Sequence, residues 1–239
     1  MIKKDNPLII PLSIIIAGGL IAFAIYLGGK NSQQNIAAAP SNNNQQQQQQ
    51  PSGQVGQVEP VTSKDNIVGN PNAKIVIVEY SDYECPFCKS FHNTMLQVMN
   101  AYKPDEVAWV YRQFPIAQLH SKAPKESEAA LCVNELGGNK AFWDFTDKLF
   151  STTNSGNTLD ESELPKLASF AGVNVNAFNS CLSSGKFTKA VQDDVTAAGA
   201  AGAQGTPFSV IITKSGNKSS IYGAQPFEQV KATIDALLK

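Results

Sequence analysis

A short β-branched run, Ile75-Val76-Ile77-Val78, is followed seven residues later by Cys85-Pro86-Phe87-Cys88 and then by apolar residues at helical spacing, Phe87, Phe91, Met95, Val98 and Tyr102. The run suits a strand covered on both faces, and the spacing predicts a helix with one face packed on that strand. Residues 79–84 are polar and are expected to make the turn between them. Pro86 fits the first helical turn, where its missing N–H costs nothing.

Two cysteines three positions apart at a helix start lie about one turn from each other. They are close enough to be a dithiol or a disulfide with little backbone change, which makes the pair a redox switch. Cys85 sits where the first N–H groups have no intrahelical partner and the helix dipole is positive, so its thiolate is favoured. Cys88 lies a turn further in and is expected to be more buried and less acidic. The pair divides into an exposed attacking or leaving sulfur and a resolving one. Glu84, immediately before Cys85, opposes this, because a neighbouring carboxylate raises a thiol pKa.

A chain of 239 residues with 42% hydrophobic and 16% charged residues reads as one anchored globular domain. From Asp65 onward there are 15 Lys and Arg against 18 Asp and Glu with no basic cluster, which argues against a nucleic-acid partner. Residues 1–29 are expected to be a transmembrane anchor. Residues 6–29 carry no charge, and residues 8–27 alone would span about 30 Å as a helix, the thickness of a bilayer core. Lys3 and Lys4 precede this stretch and orient the N-terminus to the cytoplasm, so that a single-pass anchor in the cell membrane leaves the domain extracytoplasmic. A cleaved signal peptide is the rival reading, but its apolar core is usually only about 7 to 15 residues long.

Residues 30–64 read as a flexible linker rich in Gln and Asn, and residues 31–58 hold no charge and include six consecutive Gln. The uncharged stretch has a mean reach of about 30 Å as a coil. The polyglutamine is alternatively an interaction or aggregation motif. Residues 65–239 form the expected domain, its folding boundary falling between Pro60 and Asn70.

Downstream, residues 107–112 predict a second strand ending before Phe114-Pro115. From about residue 116 to 204 the pattern is helical almost throughout. One helix carries Ala129, Cys132, Val133 and Leu136 up to Gly137-Gly138, a second Phe142, Phe145 and Leu149, and a third Leu164, Leu167 and Ala171. Residues 176–182 and 187–198 add two more. The chain returns to strand at residues 208–212 and 221–222 and closes with a helix that opens near Pro226.

Several features taken together identify a resemblance: Val-Glu-Tyr-Ser-Asp before Cys-Pro-Phe-Cys, Phe114-Pro115, Ala129-Ala130-Leu131-Cys132, Phe142-Trp143 with Leu149-Phe150, and Gly205-Thr206-Pro207-Phe208. From Asp65 to Lys239 the chain resembles the DsbA-like branch of the thioredoxin superfamily. The resemblance implies an α/β, thioredoxin-like fold with an inserted helical subdomain at about 116–204, here preceded by one transmembrane helix and a disordered linker. It implies a thiol-disulfide oxidoreductase, foremost a dithiol oxidase that introduces disulfides into exported proteins through Cys85 and Cys88, with no cofactor beyond that redox-active pair.

The same resemblance implies that Pro207 is cis and lies against the two cysteines. Thr206 then offers backbone groups to a client peptide, with Pro86 and Phe87 completing the binding surface and the Phe208 region adding apolar area. Glu79 matches a buried acid placed to exchange protons with the inner cysteine; the plainer reading is a strand-end carboxylate paired with Lys74 or Lys89. Cys132 and Cys181, on separate helices and without an activating charge, read as a structural disulfide rather than a second redox pair, as in some relatives. Implied partners are unfolded or reduced exported proteins and a quinone-linked membrane reoxidant of the DsbB or vitamin K epoxide reductase type. No dimerisation segment is evident, so a monomer is expected.

Zinc competes for the motif. Cys85, Cys88 and His92 share a helical face, but the only further Cys or His ligands are Cys132, Cys181 and His120, scattered through the insert. On simpler readings His92 is an exposed helix residue and His120 helps begin the insert's first helix. A reductase or isomerase on the same scaffold, and a non-catalytic module that binds metal or extended peptide, also remain open.

Overall fold

The computed structural model of the chain describes residues 55–239. Its sheet has five strands, β1 (Asn66–Val68), β2 (Ile75–Ser81), β3 (Val107–Gln113), β4 (Phe208–Thr213) and β5 (Lys218–Tyr222), in the order β1-β3-β2-β4-β5. Only β2 and β3 run parallel, and α1 (Pro86–Ala101) supplies the crossover that a parallel pair requires. Between β3 and β4 lie α2 (Ala123–Thr152), a single 3-10 turn (Glu161–Glu163), α3 (Leu164–Phe170), α4 (Val175–Ser184) and α5 (Thr188–Ala201). The final helix is α6 (Phe227–Leu238). The thioredoxin-like α/β fold and its inserted helical layer are therefore present.

Strand alternation sorts the core into two sides. Ile75, Ile77, Trp109 and Tyr111 face a core with Phe91, Met95 and Val98 of α1, Phe142 and Phe145 of α2, and Val230 and Ile234 of α6. Val78, Tyr80, Val110 and Val210 face the other side, against Ala198 and Ala201 of α5. Glu79 shares the parity of Ile75 and Ile77, so it projects toward the side that carries α1.

Two expectations shift. The turn expected at residues 79–84 starts later, because β2 stays in register through Ser81, with Glu79 opposite Tyr111 and Ser209, and Ser81 opposite Gln113. Backbone ladder bonds on both edges outweigh the polarity of those side chains. The two helices expected around residues 129–149 are present, joined within α2 at a break at Gly138, whose φ of 75° belongs to the left-handed region that glycine takes readily.

The second shift concerns the end of the linker, expected to run to residue 64. Val58 is buried, Gly56 and Gln57 donate to the carbonyls of Ala201 and Ala200, and Arg112 binds the carbonyls of Glu59 and Pro60 and the carboxylate of Asp65. Residues 55–64 therefore dress the α5 side of the sheet, drawn there by a few valines and an arginine that a Gln-rich composition conceals. The short β1 was also not anticipated. It pairs antiparallel with β3.

Cys132 of α2 and Cys181 of α4 form a disulfide across 49 residues, with Cα atoms 5.9 Å apart. The expected anchor at residues 1–29 and most of the linker lie outside the described residues. Among the described residues no helix is long and apolar enough to cross a membrane.

Candidate active site

Cys85 is the N-cap of α1, with an extended backbone (φ −81°, ψ 121°), and Pro86 follows at the first helical position. The two cysteines are unbridged thiols here. Cys88 is fully buried and its Sγ accepts the backbone N–H of Asp82 at 3.4 Å. Cys85 was expected to be exposed. Only 5% of it is, because the 205–208 segment closes over it and brings the Thr206 carbonyl to 3.5 Å from Sγ. The Thr206–Pro207 peptide is cis. Pro86 and Phe87 lie at the surface, Phe87 64% exposed.

Contacts around the two sulfurs split their acidities. Cys85 is held down to about 6, first by a hydrogen bond from Cys88, and also by Thr206 and the N–H groups of Cys88 and Phe87, against an opposing cost of burial. The Thr206 hydroxyl, buried and otherwise without a partner, is free to donate to a thiolate. Burial, and then the Cys85 sulfur beside it, push Cys88 well above the ordinary thiol range. The division of roles read from helix position thus has a physical basis in contacts and burial.

Glu79 is fully buried, and burial pushes its carboxyl up to about 7, offset in part by the nearby Ser81 hydroxyl and by the Trp109 indole. Its Oε2 accepts Trp109 Nε1 at 2.9 Å while Oε1 has no partner. The lysine pairing considered for it is absent, since Trp109 takes that role. Its charge is near enough to raise Cys88, so a proton held on Glu79 and one held on Cys88 are coupled.

Three further buried carboxyl groups lie beside the motif. Asp82 accepts Glu84 N at 2.8 Å, Ile116 N at 2.7 Å and His120 Nδ1 at 2.9 Å. Glu84, expected to act on Cys85 as a neighbouring charge, instead turns its carboxylate into the helical layer. There it accepts Asn157 N at 2.7 Å, Leu159 N at 3.3 Å and the Thr153 hydroxyl at 3.3 Å. Glu126 is fully buried with neither oxygen bonded to a donor, and lies against Glu84. Burial first, then the neighbouring carboxylates of Glu84 and Asp82, push it up to about 9. At neutral pH Glu126 is therefore protonated.

A stability effect follows from the sign of that shift. Between the ordinary value of 4.5 and the folded value of about 9, the folded chain holds a proton that the unfolded chain has released, so stability falls as pH rises through that window. A Glu126→Gln protein should lack this contribution. Denaturant unfolding across the window should show its stability declining less steeply than that of the parent, by up to about 1.4 kcal/mol per pH unit.

Other site residues depart from expectation. His92 is only 2% exposed, its Nε2 2.8 Å from Asp147 Oδ1 and its ring packed between Trp109 and Phe150. It was expected to be an exposed helix residue, and nothing in the sequence signalled a partner 55 residues away. His120 precedes α2 and binds Asp82 rather than capping the helix. Phe208 is buried and adds nothing to an apolar rim, whereas Leu119 is exposed. Among the described residues, no three His, Cys, Asp or Glu side chains are grouped to hold a metal ion.

Comparisons with known proteins agree with this geometry. DsbA2 of Pseudomonas aeruginosa superposes with a TM-score of 0.61 at 24% identity, covering 75% of this chain and 97% of that one. Oxidised BdbD of Bacillus subtilis gives 0.66 at 21% identity, covering 77% and 98%. Wolbachia pipientis α-DsbA1 gives 0.64 at 21% identity, covering 74% and 92%. These likenesses show the DsbA-like fold. The Na(+)/H(+) antiporter NhaA 1 of Mycolicibacterium gilvum is 30% identical over 146 residues, 60% of this chain and 22% of that protein. The chain spans about a fifth of the length of the curated relatives it matches. A family model described as thioredoxin matches residues 61–236, and on that match, seated on a DsbA-like fold, the chain belongs to the thioredoxin family.

Proposed function

We propose that the chain is a thiol-disulfide oxidoreductase that works outside the membrane as a dithiol oxidase of exported proteins. One observation carries the reading. A helix-capping thiol held down to about 6 lies under the Thr206 carbonyl, while its partner is buried and pushed the other way. Such a pair favours the reduced form with Cys85 ionised, and stabilising the reduced form makes the oxidised form a stronger oxidant. The NhaA relatives' antiport activity is no part of this reading.

In the cycle, a client thiolate attacks Cys85 Sγ of the oxidised pair, the Cys85–Cys88 bond breaks, and Cys88 leaves with the electron pair. Cys88 takes a proton, for which Glu79 is the donor. A second client thiolate then attacks the client's own sulfur in the mixed disulfide. Cys85 leaves as a thiolate, the client gains its bridge, and two electrons stay on the pair. The redox pair itself is the only reactive group required. Thr206, with Pro86, Phe87 and Pro207 around it, offers its backbone to the extended client. Reoxidation falls to a quinone-linked membrane partner of the DsbB or vitamin K epoxide reductase type, next to which the expected anchor would hold the domain.

The test is the potential of the Cys85–Cys88 couple. A thiolate favoured in the reduced form adds oxidising power, about 30 mV for each pKa unit if the effect is confined to that form. Equilibration with glutathione should place the couple well above the thioredoxin value of about −270 mV. A potential at or below that value would turn the assignment to a reductase.

Glu79→Gln gives a narrower prediction. Glutamine keeps the bond from Trp109 but cannot move a proton, so exchange should slow several-fold near neutrality. The rate should also lose its inflection near the carboxyl's folded value of about 7. Stopped-flow exchange rates across pH check this, and rates unchanged throughout would remove Glu79 from the mechanism.

A further inference from the structure

We infer that Glu84 is the positioning residue for the Cys85 sulfur, because its buried carboxylate fastens the residue before the helix cap to the 153–159 segment of the helical layer. The inference rests on the oxidoreductase reading and adds to it the device that holds the reactive atom in place.

Cys85 caps α1 with no side-chain bond to the helix; its N–H donates to the Asp82 carbonyl at 3.2 Å, its carbonyl accepts Lys89 N at 3.1 Å, and its Sγ has one long contact, 3.5 Å to the Thr206 carbonyl. The next residue upstream is fastened at four points. Glu84 Oε2 accepts Asn157 N at 2.7 Å, Oε1 accepts Leu159 N and Thr153 Oγ1, each at 3.3 Å, and the Glu84 carbonyl accepts Gly156 N at 2.8 Å. Two backbone amides and a hydroxyl from one short segment thus converge on a single carboxylate.

That segment is shaped for the task. Ser155, Gly156 and Asn157 have φ of 66°, 65° and 67° in succession, a left-handed run that non-glycine residues adopt only when their surroundings impose it. Its own supports are clear. Asn157 Oδ1 accepts Lys122 N at 3.2 Å, Asn157 Nδ2 donates to the Leu119 carbonyl at 3.0 Å, and Lys89 of α1 donates to the Thr153 carbonyl. One loop therefore holds both Glu84 and the first turn of the helix that carries the two sulfurs.

Two roles for Glu84 predict opposite signs. If it acted on the sulfur as a charge, removing it would make Cys85 more acidic. As a positioning residue its loss must make Cys85 less acidic, because the contacts that favour the thiolate, from Cys88, Thr206 and the helix amides, are short-ranged and depend on where the sulfur sits.

The experiment is the pH profile of Cys85 alkylation in the reduced protein. Glu84→Ala should raise the midpoint by about one unit, a roughly tenfold loss of thiolate near pH 6. Glu84→Gln keeps one of the two acceptor oxygens and should shift the midpoint the same way by less than Glu84→Ala. Asn157→Gly retains the backbone amide but releases the segment from residues 119–122, so it should shift the midpoint the same way by less.

A folded Glu84→Ala protein with an unchanged or lower midpoint overturns the inference. If that variant does not fold, an unshifted Asn157→Gly midpoint overturns it in its place. An unmodified protein whose Cys85 titrates as an ordinary thiol would instead bring down the oxidoreductase reading, and this inference with it.

Discussion

Cys85→Ser should abolish thiol-disulfide exchange, while Cys88→Ser should leave a protein that reacts once and stops. The first removes the only sulfur placed beside the Thr206 carbonyl, and a serine hydroxyl neither ionises near neutrality nor forms a disulfide. The loss should be on the order of a thousandfold or more, as for other catalytic nucleophiles. The second variant still places a donor beside Cys85, a hydroxyl in place of the Cys88 thiol, so the Cys85 thiolate remains favoured. It can still attack a client disulfide but lacks the thiol that would resolve the product. Non-reducing electrophoresis with a disulfide-bearing client should show a persistent adduct for Cys88→Ser and none for Cys85→Ser. Equal adducts from both variants would mean that Cys88 is as reactive as Cys85, against its burial.

Replacing Cys132 and Cys181 together with alanine should cost about 4 kcal/mol, the chain-entropy value for a loop of 49 residues. For a domain of this size that is a fall of roughly 10 °C in melting temperature. Exchange through Cys85 should survive at temperatures where the variant is folded, because the bridge joins α2 to α4 and neither sulfur touches the pair at α1. The same experiment separates a staple from a second redox couple. Loss of turnover in a folded double variant would assign electron transfer to the bridge, whereas a lower melting temperature with unchanged turnover is the expected pattern.

The legible parts of this chain were those encoded by local periodicity. Ile75 to Val78, the apolar face of α1, the stop at Gly138 and the approach of residues 205–208 to the cysteines all follow from spacing or from motifs read together. What escaped was decided by partners far away in sequence. His92 sits on a helix face that looks half polar until Asp147 and the Trp109 and Phe150 rings arrive from other elements. Glu84 reads as a charge beside a thiol, and only residues 153–159, folded back on themselves in an unusual conformation, turn it into an anchor. The packing of residues 55–58 was hidden for a related reason. Val55 and Val58 are too sparse among Gln and Gly to signal a core, but the α5 side of the sheet offers them an apolar seat.

That seat bears on how the domain would withstand force. Residues 55–58 are stitched to the last turn of α5 and lie across the side of the sheet opposite Cys88. Tension applied to the chain upstream of Val55 would be borne first by those bonds and by the helix end they grip, and would reach β2 only after they had given way. On this path the end of α5 and Arg112 of β3 would take up such tension before the helix cap that bears Cys85.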